Sequence, residues 1–296
     1  MTDGWRGIFA VLQTPLTESD TIDAAVMARQ VDFSISCGTH GLVFPVLGGE
    51  FQFLTEAERS DGIKMVCDAN QKRVPVVAGV AAPSRVVAAK MAKEAAEAGA
   101  DALIALPPYI SPASLDQVMD YFKAIADASG LPIMVQHAKI VPLPPAFLVR
   151  LLTEIDEVQY IKEEREPSAH NISQVIADVG DACRGIFGGA HGRWMMSEMD
   201  RGASGFMPAV QTLDLYVKTW DAYQNGDLVE ARRLYDAHLP LMNQLFMVGL
   251  VVCKEVLVRR GVFENSLMRS PGAMQMDEGD VRELDVIMEN LAPLLK

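Results

Sequence analysis

The 296-residue sequence predicts an α/β fold: a (β/α)8 TIM barrel over residues 1–223, with a C-terminal helical extension over residues 224–296 packed on it. Three features carry this expectation. Short apolar runs alternate eight times with longer amphipathic stretches between residue 7 and residue 223. The runs are apolar throughout rather than at every second position, which marks strands buried on both faces and joined in parallel by helical crossovers. Eight such pairs favour a closed barrel over an open doubly wound sheet, and the chain lacks both GxGxxG after its first run and GxxxxGK[ST] anywhere.

The elements follow in order. The first run, 7–12, stops at Thr14-Pro15, and helical spacing over 23–37 ends at Gly38, a residue suited to a helix C-terminus. The second run, 41–46, leads to a helix over 55–70, where Thr55 and Glu58 have the spacing of a capping box. Runs at 74–79, 101–106 and 132–136 precede helices at 84–98, 114–129 and 144–154. Runs at 158–162, 183–187 and 205–207 precede helices at 168–179, 194–201 and 213–223. Past Asn225-Gly226-Asp227 the strands stop, and 228–248, 251–260 and 278–291 read as helices.

Half of the residues are hydrophobic, which suits a folded chain, and the formal net charge of −13 disfavours nucleic acid and anionic lipid as partners. No apolar run reaches the roughly 18–20 residues needed to span a bilayer. The first residues have no basic segment leading into an apolar core, so a cytoplasmic protein is expected. The cysteines Cys37, Cys67, Cys183 and Cys253 form no CxxC pair and are expected to be buried free thiols. No His, Asp or Glu cluster has the spacing of a metal site, so no metal or organic cofactor is expected.

A barrel presents the C-terminal ends of its strands to the active site. Those ends carry the Gly48-Gly49-Glu50 turn, Gln136-His137, Lys162-Glu163-Glu164 and the stretch holding Gly189 and His191. Lys162 is the only lysine at the end of an expected strand. Two roles are open to it from position alone: an ion pair with Glu163, Glu164 or Glu166, or a nucleophilic amine that attacks a ketone as the free base.

Taken together, Gly7-Ile8-Phe9, Thr14-Pro15, Gly48-Gly49-Glu50 and Leu54 to Arg59 resemble the dihydrodipicolinate synthase and N-acetylneuraminate lyase superfamily. So do Val77 to Val80, Pro107-Pro108-Tyr109, Lys162 and Arg201 to Gly205, in the same order. The resemblance implies that Lys162 forms a covalent imine with a 2-keto acid, with no other cofactor, in a homo-oligomer (a tetramer or dimer). It implies that Gly48 and Gly49 hold the substrate carboxylate, with Glu50 bracing that loop or binding substrate.

The departures are informative. Gln136-His137 replaces the superfamily's Tyr-Asn pair, so the tyrosine proton relay is missing, and an amide neither gives nor takes a proton near neutral pH. Leu47-Gly48 replaces the hydroxyl residues before Gly-Glu, His191-Gly192 an acidic pair, and Ala209 a serine. The segments 134–138, 160–164 and 188–192 are most similar to the 2-keto-3-deoxy-L-arabinonate dehydratase branch, with His137 where that branch carries aspartate. This implies dehydration of a 2-keto-3-deoxy sugar acid, with Lys162, Gln136 and Glu164 catalytic and Gly48, Gly49, Glu50, His137, Gly189 and His191 binding substrate. Two other outcomes stay open: a pyruvate-dependent aldolase on the same lysine, and a catalytically silent relative that binds 2-keto acids. The plainer alternatives are a solvated loop charge or an ion pair with Arg165 for Glu164, and a structural hydrogen-bonding role at a loop start for His137 and His191.

Overall fold

The computed structural model describes residues 4–296. Strands β1 (Gly7–Val11), β2 (Gly41–Phe44), β3 (Val76–Gly79) and β4 (Ala102–Ala105) supply one half of a barrel. The other half is β5 (Ile133–His137), β6 (Val158–Glu163), β7 (Gly185–Gly188) and β8 (Gly205–Phe206). They close in sequence order, each parallel to the next, with β8 returning to β1. The helices between them are α1 (Ala24–Ser36), α2 (Glu56–Asn70), α3 (Arg85–Glu97) and α4 (Leu115–Ser129), then α5 (Pro145–Glu154), α6 (Ser168–Val179), α7 (Met195–Met199) and α8 (Leu213–Gln224). Thr55 and Glu58 do form a capping box at the start of α2, and Ser114 and Gln117 form another at α4.

Successive side chains on a strand point to opposite faces, and this sorts the barrel into two cores. Phe9, Val11, Val77, Ile104, Met134, Tyr160, Phe187 and Met207 pack inside it. Ile8, Ala10, Val76, Leu103, Val135, Ile161 and Ile186 face the helices. Trp5 stacks on Tyr160 with ring centroids 5.4 Å apart and joins the inner core.

The register of β5 on β6 sets the site. Gln136 pairs with Lys162 and His137 with Glu163, so one pair points inward and the other outward. The sequence reading ends these strands one residue earlier, at Gln136 and Lys162; the additional rung is the outward pair.

The tail folds as α9 (Leu228–Val248), α10 (Val251–Arg259) and α11 (Glu278–Leu291). Leu215 of α8 packs into a core with Leu234, Leu241, Val252, Val256 and Leu284. Arg260 makes a two-pronged contact with Asp214, 2.9 Å on each side. All four cysteines are free, but Cys67 is only partly buried, contrary to expectation. It lies one position beside the stripe that α2 buries through Ile63, Val66 and Asn70. No described helix is long and apolar enough to cross a membrane.

Candidate active site

Lys162 projects from the inner face of β6 and is 4% exposed, a depth that demands a partner for its charge. Glu164 supplies it: Lys162 Nζ lies 3.0 Å from Glu164 Oε1. The chain turns just past β6, with the Glu164 N–H donating to the His137 carbonyl at 2.9 Å, and this returns the Glu164 side chain over the barrel mouth. Gln136 Nε2 donates to Glu164 Oε2 at 2.6 Å, and the Ala190 N–H donates to Oε1 at 3.2 Å. Burial pushes the Glu164 carboxyl up, but Lys162, Gln136 and the Ala190 N–H together outweigh it and hold its pKa below the usual carboxylate range. Gln136, expected among the catalytic residues, thus acts on Glu164 through this bond.

Gly189 belongs to the same arrangement through what it lacks. A Cβ there would lie 2.2 Å from Glu164 Cγ, so glycine is what lets the carboxylate reach Lys162. The next two residues take positive φ, 46° at Ala190 and 54° at His191, a conformation uncommon for residues with side chains. The Tyr216 hydroxyl donates to the His191 carbonyl at 2.6 Å and holds this turn. Burial lowers the His191 imidazole to about 4, with Lys162 adding to the effect against an opposing pull from Glu164. Its ring is thus neutral at neutral pH. Nδ1 is buried without a partner among the described residues.

The turn after β2 departs from expectation in detail. The Gly49 N–H donates to the Val46 carbonyl at 2.8 Å and the Glu50 N–H to Leu47 at 3.1 Å, so neither is open to a substrate carboxylate. Thr14 Oγ1 donates to the Gly49 carbonyl at 2.5 Å. Gly48 is the residue of this trio that lines the cavity. Glu50 turns away: Oε2 meets Lys254 Nζ at 2.7 Å, and Oε1 accepts the Arg269 and Ser270 N–H groups at 3.0 Å each. Both side chains of that ion pair are almost fully buried. Glu50 thus fastens the turn to the tail and does not face substrate.

His137, expected among the substrate-binding residues, lies on the outer face for the reason its strand position dictates. Its Nε2 accepts the Leu143 N–H at 3.2 Å, which leaves Nδ1 to donate to Glu163 Oε2 at 2.7 Å. Glu163 Oε1 accepts the Arg165 N–H at 2.8 Å. Further along this face Ser168 donates to Glu198 Oε1, while Glu198 Oε2 is buried with no partner among the described residues.

Lys162 and Glu164 open onto a cavity of about 240 Å³. Ala190 and His191 continue that side of it, and Val11, Leu47 and Gly48 stand at the β1 and β2 ends. Met207 and Ala209 follow β8, and Phe246 and Leu250 reach in from the end of α9. Roomier clefts of about 430 and 580 Å³ lie elsewhere, under Pro108 and beside Met274, and neither includes Lys162. The apolar wall escaped the sequence reading. Val11 and Met207 follow from alternation along strands whose inward residues are known. Phe246 and Leu250 are tail residues whose apolar side chains look like ordinary helix packing until the tail is folded. Among the described residues no group of three or more His, Cys, Asp or Glu side chains is placed to hold a metal ion.

A buried amine, a carboxylate in contact with it, a neutral imidazole and an open backbone turn suit carbonyl chemistry through a covalent amine adduct. Comparison with known proteins bears on this directly. The model of the dihydrodipicolinate synthetase family matches residues 4–290. An L-2-keto-3-deoxyarabonate dehydratase of Azospirillum brasilense is 30% identical over 98% of this chain and 96% of its own. A 4-hydroxy-tetrahydrodipicolinate synthase of Bradyrhizobium diazoefficiens is 29% identical over 82% of each chain. The crystal structure of dihydrodipicolinate synthase from Rhodopseudomonas palustris superposes with a TM-score of 0.88 at 28% identity, covering 97% of both chains.

Proposed function

Because the chain belongs to the dihydrodipicolinate synthetase family of lyases, we propose that it is a class I Schiff-base enzyme that dehydrates a 2-keto-3-deoxy sugar acid. The observation that carries this reading is the pairing of Lys162 with Glu164 in a cavity whose lining includes no tyrosine. Aldol cleavage needs a base for the C4 hydroxyl proton. Dehydration needs a base for a C3 proton and a proton for the departing C4 oxygen, which one carboxylate beside the imine can serve in turn.

The sequence of steps is as follows. Lys162 gives a proton to Glu164 and its free amine adds to the C2 ketone; Glu164 returns that proton to the C2 oxygen, which leaves as water, so a cationic imine stands beside the regenerated carboxylate. Glu164 takes a proton from C3, and the electron pair forms an enamine. The enamine expels the C4 oxygen, which takes the proton back and leaves as water. Hydrolysis of the conjugated imine restores Lys162 and releases an unsaturated 2-keto acid. Gln136 acts as a positioning residue, holding Oε2 so that Oε1 faces Lys162. The Gly48 N–H is the donor assigned to the C1 carboxylate. The neutral His191 ring serves as a hydrogen-bond partner for substrate rather than as a cationic acid.

Borohydride reduction in the presence of pyruvate tests the imine. A mass increase on the tryptic peptide containing Lys162, absent in Lys162→Ala, is expected. No adduct on the wild-type protein, or equal trapping in the variant, overturns the reading. Product analysis separates the chemistries: an intact carbon skeleton one water lighter supports dehydration, while pyruvate with an aldehyde supports a pyruvate-dependent aldolase on the same lysine.

A further inference from the structure

The cavity is divided by polarity. Its ionisable side chains, Lys162, Glu164 and His191, all come from the β6 and β7 ends. The wall built by Met207, Ala209, Phe246 and Leu250, from the β8 end and the tail, presents no side-chain N–H, O–H or oxygen, the weakly accepting Met207 thioether being its only heteroatom. Lys162 and Glu164 are committed to the keto-acid head and the C4 oxygen under the reading above, which leaves His191 as the remaining polar side chain. His191 is itself packed edge-on against Phe246, ring centroids 6.1 Å apart.

The apolar wall is also held in place. The Arg193 guanidinium lies on the Phe246 ring, 4.6 Å from its centroid, and within 5.5 Å of the Trp194 ring, so Phe246 is clamped from outside the cavity. The Tyr235 hydroxyl donates to the Arg193 carbonyl. Phe246 is 44% exposed at the cavity rim, so a substrate hydroxyl placed against this wall keeps part of its water but gains no N–H or O–H partner from it, whereas a methyl group or other hydrocarbon end gains contact area.

We propose that the substrate keeps the 2-keto-3-deoxy head and C4 hydroxyl but ends in an apolar group, as a terminally deoxygenated sugar acid does, and that Phe246 and Leu250 select for that end. This rests on the imine reading and narrows its substrate class. It sets the preferred acid apart from a full polyhydroxylated sugar acid by its far end alone.

Two five-carbon acids that differ by one oxygen test it: 4-hydroxy-2-oxopentanoate, which ends in a methyl group, and 2-keto-3-deoxypentonate, which ends in a hydroxymethyl group. The readout is the concentration of each that gives half-maximal borohydride-trapped adduct, divided by the same value for pyruvate, which has no tail. The methyl-ended acid should saturate at about 10- to 100-fold lower relative concentration, the range for a hydrophobic pocket facing one added hydroxyl. Phe246→Asn and Leu250→Asn should each narrow that preference. Equal or better saturation by the hydroxymethyl acid overturns the proposal while the imine reading stands, because the adduct has still formed. A preference that neither variant moves overturns the assignment to Phe246 and Leu250. Absence of any adduct, with pyruvate included, marks failure of the imine reading itself.

Discussion

The two faces of β6 carry the same kinds of groups and put them to opposite ends. On the inner face, Lys162 and Gln136 meet Glu164 beside an open cavity. On the outer face, His137 and Glu163 meet each other, and the Leu143 and Arg165 N–H groups complete their hydrogen bonds. Both clusters are buried and both contain a carboxylate against a nitrogen base. The inner one borders space that a substrate can fill, whereas the outer one is closed by the helices and loops around it. Reactivity here is a property of the face and not of the residue types, and neighbours in sequence fall on different sides of that division.

Exchanging the inner carboxylate gives the largest expected effect. Glu164→Gln keeps the shape and the contact with Gln136 but removes the base, so turnover should fall by about 10²–10⁴-fold. It also leaves the buried Lys162 ammonium without its countercharge, so about 2 kcal/mol of stability and roughly 4–8 °C of melting temperature should be lost as well, and turnover is compared per folded molecule. Steady-state rates alongside thermal unfolding check this, and a wild-type rate in the variant would take Glu164 out of the proton transfer. The outer face should respond the other way round. His137→Leu leaves the buried Glu163 carboxylate without its imidazole donor, at a cost of about 3 kcal/mol. For a chain of this size that lowers the melting temperature by roughly 6–12 °C. Turnover per folded molecule should change little; a selective loss of turnover with unchanged stability would return His137 to the site.

A third exchange probes the link between the site and the tail. Glu50→Gln leaves the Lys254 ammonium buried, with the Leu267 carbonyl still beside it at 2.6 Å but no countercharge. Burial already lowers the Lys254 pKa against the pull of Glu50, so the variant should make it easier still to deprotonate. A loss of about 2 kcal/mol is expected by denaturant unfolding, since neutralisation of Lys254 relieves part of the penalty. An unchanged midpoint would show that the turn and tail hold together without this pair.

The barrel was legible because its strands are apolar throughout and its first four helices carry their own N-caps, both local properties. Lys162 was legible because a lone lysine ends an apolar run. His137 was misplaced because position at a strand end was weighed without the alternation that sends Gln136 in and His137 out. The open donors of the Gly48-Gly49 turn were overcounted because a 3-10 turn consumes the Gly49 and Glu50 amides, which composition does not reveal. Phe246 in α9 and Leu250 in the turn after it lie more than eighty residues past Lys162, where spacing shows only amphipathic helices; only the folded tail brings them to the cavity. Glu198 likewise gives no sequence signal, since its significance comes from being buried behind Gly188.

Glu198 supplies the contrast that is smallest at acid pH and the one most specific to pH. It and Glu164 approach the consecutive glycines 188 and 189 from different sides: a Cβ at Gly188 would lie 2.4 Å from Glu198 Oε2, as one at Gly189 would collide with Glu164. The Glu164 carboxylate has three described partners and a lowered pKa, whereas burial raises Glu198 to about 7, with Glu163 and Glu164 adding to the rise against the Ser168 hydrogen bond. The signs are opposite. Stability from Glu164 is present above the unfolded carboxyl pKa and is lost as pH falls through its lowered folded value. Stability from the protonated Glu198 is present below the unfolded pKa and is lost as pH rises through about 7. The lowered imidazoles of His191 and His238, at about 4 and 3, both favour the native state as pH rises towards 6.5, but they act alike in wild type and variant and cancel in the difference. Glu198→Gln should therefore lie close to the wild type near pH 5 and gain about 2 kcal/mol on it by pH 8. Parallel unfolding curves at the two pH values measure this. A difference that stays constant with pH would mean that Glu198 is already ionised in the native protein, and that its second oxygen finds a partner as good as those of Glu164.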